Sequence, residues 1–199
     1  MAEMESMMAS AKMAVEIEAE AIQNFAENIE NQLFPILKLA TEVKGRIVIT
    51  GLGKSGLVGD KISATLASTG SPSFFIHAAD ALHGDSGAVH PDDLLIAISN
   101  SGETAEVLTF AGMVKGWGNK LISITSNPNS SLAKISDAVL KLPFKKEADP
   151  NNLAPTTSTT LAMVAGDALA SALITYRNFS SKDFRMRHPG GELGKKSNA

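Results

Sequence analysis

Three hydroxyls, an amide, a glycine and a carboxylate fall within six residues at Ser99-Asn100-Ser101-Gly102-Glu103-Thr104, directly after the apolar run Leu94-Leu95-Ile96-Ala97-Ile98. A run of that length predicts a strand buried on both faces, and Val107, Phe110, Ala111 and Val114 then recur at helical spacing. The hexapeptide is therefore a strand-to-helix turn. At such a turn the unpaired N–H groups of the helix start and the hydroxyls of Ser99, Ser101 and Thr104 converge where the helix dipole is positive, with Asn100 and the flexible Gly102 between them. That is the chemistry of a phosphate cradle. A plainer reading has Ser101 capping the helix and Glu103 complementing its dipole. Three hydroxyls beside a glycine favour the cradle.

Four other stretches carry chemistry-bearing residues. Gly51-Leu52-Gly53-Lys54-Ser55-Gly56 matches the G-x-G-x-x-G pattern of dinucleotide turns. The next apolar run ends in His77, where a ribose-binding site would want an acid, and Val48 stands where a P-loop needs glycine. A glycine turn bearing Lys54 and Ser55 suits a smaller anion. His77, Asp80, His83 and Asp85 follow, but a six-residue histidine spacing and loose carboxylates fall short of a metal site. His83, next to Gly84, is the one expected to point into a crevice; His77 and His90 read as structural or surface residues. Glu147 follows Lys145 and Lys146 in a long loop, and the run Thr156-Thr157-Ser158-Thr159-Thr160 opens an apolar helix, a second anion-friendly start. In the tail Arg187-His188-Pro189-Gly190-Gly191, Pro189 keeps His188 from continuing a helix and leaves its ring on a turn.

The elements that must position these residues can be read from rhythm. Ile22, Phe25, Ile29, Leu33 and Ile36 step by three or four through an Ala-, Glu- and Met-rich helical region over 5–40, bent near Pro35, whose stripe could cover a sheet face or meet another subunit. From residue 46 short apolar runs alternate with helical patterns: 46–50, 73–76, 94–98, 121–125 and 138–142. Five such strands predict an α/β fold, a flavodoxin-like, doubly wound parallel sheet with N-terminal helices, whose ligands bind at the carboxyl ends of the strands. One domain is expected over 1–199, with a helical region to residue 44 and the α/β core and tail over 45–194. With 44% hydrophobic and 20% charged residues the chain reads as an ordinary soluble protein. A net charge of −3 argues against nucleic acid, and no basic helix suggests a membrane surface. Zero cysteines exclude thiol chemistry and disulfides, and the acidic start lacks the marks of a signal peptide, so a cytoplasmic location is expected.

Together the glycine turn, His83-Gly84-Asp85, the Ser99–Thr104 turn, the hydroxyl-rich helix start and the Arg187–Gly191 tail resemble the sugar isomerase (SIS) domain, and more closely the arabinose-5-phosphate isomerase family. The resemblance spans residues 45–194. It implies interconversion of ribulose 5-phosphate and arabinose 5-phosphate without a cofactor or metal, in a homo-oligomer, expected to be a tetramer. Many members continue into a pair of CBS domains; with the chain ending at Ala199, regulation through such modules is not expected.

Moving a carbonyl between C1 and C2 needs a base that takes a proton from one carbon and returns it to the other through an enediolate. Ribulose 5-phosphate is open-chain because the hydroxyl that would close its furanose carries the phosphate; arabinose 5-phosphate closes through its C4 hydroxyl and needs an acid/base to open it. By resemblance Glu147 is the carbon base, His188 or His83 opens the ring, and Lys54 and Glu103 orient the hydroxyls and carbonyl. Ser55, Ser99, Ser101, Thr104 and Ser158, with Gly53, Asn100, Gly102 and Thr157, hold the phosphate and adjoining hydroxyls. A phosphosugar-binding regulator without catalysis, or an isomerase for another phosphosugar, is the alternative, since fold alone does not fix function. A nicotinamide enzyme ranks third.

Overall fold

The computed structural model describes residues 1–190. Two helices, α1 (Ala2–Glu27) and α2 (Ile29–Glu42), lead into an alternation of β1 (Ile47–Gly51), α3 (Gly53–Ser68), β2 (Ser73–His77), α4 (Ala78–Ala81), a 3-10 turn (Asp85–Ala88), β3 (Leu94–Ile98), α5 (Ala105–Gly116), β4 (Lys120–Thr125), α6 (Ser131–Ile135), β5 (Ala138–Lys141), α7 (Thr157–Tyr176) and α8 (Ser181–Arg187). All strand pairs are parallel, in the order β2-β1-β3-β4-β5. This is the doubly wound arrangement expected from the sequence.

Alternation along the strands divides the core. Ile47, Ile49, Leu94, Ile96, Ile98, Ile122 and Ile124 face α1, α2, α3 and α7, while Val48, Leu95, Ala97 and Leu121 face α4, α5 and α6. Both sheet faces are thus covered, and the central strands β1 and β3 are buried throughout. Among the described helices α7 alone has the length and apolar content of a membrane span, and half of it is buried. It packs along α3, with Gly166 giving Ile62 the space a Cβ would fill.

The N-terminal stripe covers the sheet: Phe25, Leu33 and Ile36 are buried in the core, with Ile22 and Ile29 packed against it. The helix is not broken at Pro35. The helices part at Asn28, whose φ of −116° and ψ of 10° leave the helical region and whose side-chain amide donates to the Asn24 carbonyl (3.1 Å). Pro35 sits inside α2; it and Asn31, the residue whose carbonyl it leaves unbonded, are both exposed, so water can satisfy that group.

Candidate active site

In a 2-1-3-4-5 sheet the crossovers from β1 and β3 leave toward opposite faces, and a crevice opens between their carboxyl ends. Gly51 and Ile98 are register partners there, so the glycine turn and the Ser99–Thr104 turn flank that switch point. Gly51 and Gly56 pack backbone to backbone, a Cβ on Gly51 lying 3.0 Å from the Gly56 nitrogen. Gly102 has φ +68°, and a side chain there would run into Ser130.

The two helices that start at the switch point have no side-chain caps: α3 opens from Leu52 and α5 from Thr104. By contrast, Ser130 caps α6 and Ser180 caps α8. The first N–H groups of α3 and α5 are therefore left for a bound anion. Within the turn the hydroxyls divide. Ser99 is buried, accepts from the Gly102 N–H (3.1 Å) and bonds the Thr104 hydroxyl (3.0 Å), so this pair stiffens the loop. Ser101 is exposed, its Oγ accepting from the Glu103 N–H (3.2 Å). The Asn100 carbonyl takes bonds from Ser126 and Thr125 of the β4 end, while its buried side-chain oxygen has no partner among the described residues.

Glu103, expected to orient a sugar, is also bonded within the protein. Its Oε1 accepts from the Ser131 N–H (2.8 Å) at the start of α6, and that backbone donor, with the Ser131 hydroxyl, holds its carboxyl below the ordinary carboxylate range. Glu106, which the sequence reading passed over, is the half-buried acid in the first turn of α5. The histidine expectation also changes. His83 is exposed on the loop after α4, whereas His77 lines a cavity with Gly53, Lys54, Leu57 and Phe75 and sits edge-on to Phe75. The strand end, not the neighbouring glycine, decides which ring faces the glycine turn. His90 lies before β3, at the other end of the sheet, beside Asp92.

Glu147 is buried and built into the start of α7. Its Oε2 accepts from the backbone N–H groups of Thr156 (2.8 Å) and Ser158 (3.1 Å) and from the Thr156 hydroxyl (3.3 Å). Thr156 Oγ1 in turn accepts from the Ala148 N–H (2.7 Å), and the Glu147 N–H donates to Asn152 Oδ1 (2.7 Å). Oε1 makes no hydrogen bond among the described residues. Asn152 adopts φ +56°, which asparagine tolerates better than most residues. The hydroxyls of Thr157 and Ser158 are buried without partners among the described residues. Helices α3 and α7 run side by side: Ile62 meets Gly166, Lys61 pairs with Asp167, and Arg177 donates to Ser71. That register sets Lys54 and Ser55 level with Thr157 and Ser158, so α7's first turn belongs to the same sheet edge as the switch point. Lys54 is exposed there and Ser55 half-buried.

His188 stands elsewhere. It ends α8, its ring stacked on Phe184 (centroids 3.9 Å apart) and Nδ1 2.9 Å from the Phe184 carbonyl. A carbonyl only accepts, so Nδ1 carries the hydrogen and Nε2 is the free basic nitrogen of the neutral ring. Phe179 packs on Gly70 and Arg187 lies over Phe179, which puts α8 at the amino end of the strands, opposite the turns. Gly191 and the tail beyond it lie outside the described residues.

Comparison with known proteins agrees with the fold. The chain is 52% identical over 191 residues to "Arabinose 5-phosphate isomerase KpsF" of Escherichia coli O6:H1, covering 96% of this chain and 58% of that one. It is 48% identical to "Arabinose 5-phosphate isomerase KdsD" of Pseudomonas aeruginosa, covering 94% and 57%. It thus spans somewhat more than half the length of these curated relatives. The solved structure of E. coli CFT073 c3406 in complex with arabinose 5-phosphate superposes with a TM-score of 0.89 at 41% identity, covering 92% of this chain and 98% of that one. The SIS domain profile matches residues 41–172, from the end of α2 into α7, and the chain belongs to the SIS domain family.

Proposed function

We propose that this chain is a phosphosugar aldose–ketose isomerase acting on ribulose 5-phosphate and arabinose 5-phosphate. The observation that carries the reading is the pairing at one sheet edge of two uncapped helix starts, suited to a phosphate, with a buried carboxylate that keeps one oxygen unbonded among the described residues. The names of the curated relatives and the sugar phosphate bound to c3406 supply the sugar.

The phosphate rests on the N–H groups opening α5 and α3, with Ser101 and Ser55 at its margin. Once the arabinose 5-phosphate ring is open, Glu147 Oε1 takes the C2 proton and the electron pair moves onto the C1 oxygen, giving an enediolate. Returning the proton to C1, with transfer of the O2 hydrogen to O1, yields the ketose. Lys54 supplies positive charge near the developing oxyanion. The Ser158 and Thr157 hydroxyls, buried beside Glu147, await sugar hydroxyls. His188, with Nε2 free, opens the ring. It sits at the far end of its own sheet, so it serves a neighbouring chain's site, in a working unit that the resemblance to the isomerase family makes a homotetramer. A phosphorylated pentose is held inside cells by its charge, which places the reaction in the cytoplasm.

Incubation with ribulose 5-phosphate should form arabinose 5-phosphate, alongside a panel of five- and six-carbon phosphosugars that react more slowly. Glu147→Gln, which keeps the shape and removes the base, should retain phosphosugar binding while exchange of the C1 or C2 proton with labelled water falls at least a hundredfold. Exchange at the parental rate would remove Glu147 from the carbon base role. No turnover of any phosphosugar by the parent protein would leave binding without catalysis as the function.

A further inference from the structure

The turn read as the phosphate site is braced from one side. The Ser99 N–H donates to the Ile124 carbonyl (3.1 Å) of β4. The Asn100 carbonyl accepts from the Ser126 N–H (3.1 Å) and from the Ser126 and Thr125 hydroxyls (2.8 and 2.9 Å). The Gly102 carbonyl accepts from the Leu132 N–H (3.1 Å), and a side chain on Gly102 would meet Ser130. These contacts all engage the main chain of the turn. Within the described residues, Glu103 is the one side chain of the turn that reaches across, its Oε1 accepting from the Ser131 N–H (2.8 Å).

The receiving element is the start of α6. Its N–H groups at Ser131, Leu132 and Ala133 are taken by Glu103, by the Gly102 carbonyl and by the Ser130 hydroxyl (3.2 Å), so the first two serve the turn. β4 lies beside β3 on the side away from β1, whereas the switch-point crevice lies between β1 and β3. Held on α6, the Glu103 carboxylate is therefore on the far side of the turn from the crevice, where its charge opposes a bound phosphate least. Its main chain stays inside the turn: the Glu103 N–H donates to Ser101 Oγ (3.2 Å), and α5 opens from Thr104, the next residue. Fixing the Glu103 side chain thus fixes both the Ser101 hydroxyl and the approach to the α5 N–H groups.

We infer that Glu103 is a positioning residue that latches this turn to the start of α6 and so sets phosphate affinity without touching the sugar, an assignment that rests on reading the turn as the phosphate site. The bond has two ends, and each can be removed. Glu103→Ala removes the acceptor. Ser131 is the first residue of α6, a position that suits proline, and Ser130 before it has the extended backbone that a following proline requires (φ −64°, ψ 164°). Ser131→Pro therefore removes the donor and leaves the helix start intact. Glu103→Gln keeps an acceptor oxygen at the same reach.

Inorganic phosphate, titrated into the full chain and followed by phosphorus NMR, probes the turn without a sugar. Glu103→Ala and Ser131→Pro should each weaken its binding roughly three- to tenfold, with no further loss in the double variant, and Glu103→Gln should recover most of the affinity. KM for ribulose 5-phosphate should rise by the same factor as phosphate binding falls, with kcat within about twofold. Parental phosphate affinity in both single variants, or losses that multiply in the double variant, would overturn the latch. A fall in kcat with phosphate affinity unchanged would place Glu103 on the sugar instead. A parent chain inactive on pentose phosphates whose variants still show this phosphate pattern would uphold the latch and refute the isomerase reading. A parent chain that binds no phosphate would refute the phosphate site and the latch together.

Discussion

At the scale of single residues, Glu147 shows how a carboxylate can be fixed and left able to react. Three donors from Thr156 and Ser158 converge on Oε2, and Thr156 Oγ1 also accepts from the Ala148 N–H, so one threonine ties both the carboxylate and the backbone after it. Replacing Thr156 by valine keeps the shape but removes the hydroxyl. We expect kcat to fall roughly ten- to a hundredfold, the scale of effect for a displaced reacting group, with KM within about twofold because the phosphate contacts stand apart. Thr156→Ser should restore most of kcat, and steady-state kinetics of both variants decide it. Equal losses in the two, or a change confined to KM, would show that the hydroxyl does not position the base. The sequence displays Glu147 as a single glutamate after two lysines and marks the hydroxyl run as a helix start. That the one caps the other depends on how the chain folds back between them, through the left-handed Asn152 and the bonds that bind Asp149 to Leu153 and Ala154. No periodicity carries that information. The bond that Glu103 makes is illegible for the same reason: its partner Ser131 lies 28 residues further on.

At the scale of elements, β1 and β3 were legible because each is a mostly apolar run buried along its whole length, the partly buried edge strands β2 and β5 because they fall in the same alternation of runs and helical patterns, and the turns after β1 and β3 because their residue types suit nothing else so well. The break between α1 and α2 was misplaced because proline is a weaker punctuation mark where the carbonyl it orphans faces water than an asparagine bonding its own backbone. The amino ends of the strands carry a different device. Asp93, 3% exposed, accepts from the Arg46 N–H (2.7 Å), the Arg46 guanidinium (2.8 Å) and the His90 N–H (2.8 Å), joining the loop before β1 to the loop before β3. Burial pushes the Asp93 carboxyl up, but the Arg46 side chain and the two backbone N–H groups outweigh it, and the carboxyl is held below its ordinary value. A group whose folded pKa lies below its unfolded one stabilises the fold above the unfolded value and loses that contribution as pH falls through the folded one. Asp93→Ala should therefore cost roughly 1.5–3 kcal/mol at neutral pH. The gap to the parent should narrow in acid, below about pH 4. Urea unfolding at a series of pH values measures this. A gap constant from neutral to strong acid would mean that the cost is lost packing rather than lost charge.

At the scale of the whole molecule, the proposed site and the histidine proposed to complete it are at opposite ends of one sheet. The helix starts that suit a phosphate and the Glu147 carboxylate share the carboxyl edge, whereas α8 carries His188 at the amino edge, its ring held by Phe184 with Nε2 unbonded among the described residues. A site assembled from two chains reconciles these positions, and closed symmetric assembly repeats it in every subunit. The two functions can then be separated in different chains. Glu147→Gln and His188→Ala subunits should each be inactive alone. After mixing and subunit exchange, a site is whole only where the Glu147 comes from a His188→Ala chain and the histidine from a Glu147→Gln chain. Random exchange makes that true of about a quarter of sites, if the two contributions to each site are independent. Activity should return to that order, and a site built within one chain would return none. Mixed oligomers that stay inactive, once exchange has been verified by mass, would place His188 outside the neighbour's site and leave ring opening to a residue on the carboxyl edge, where His77 lines the cavity beside Lys54.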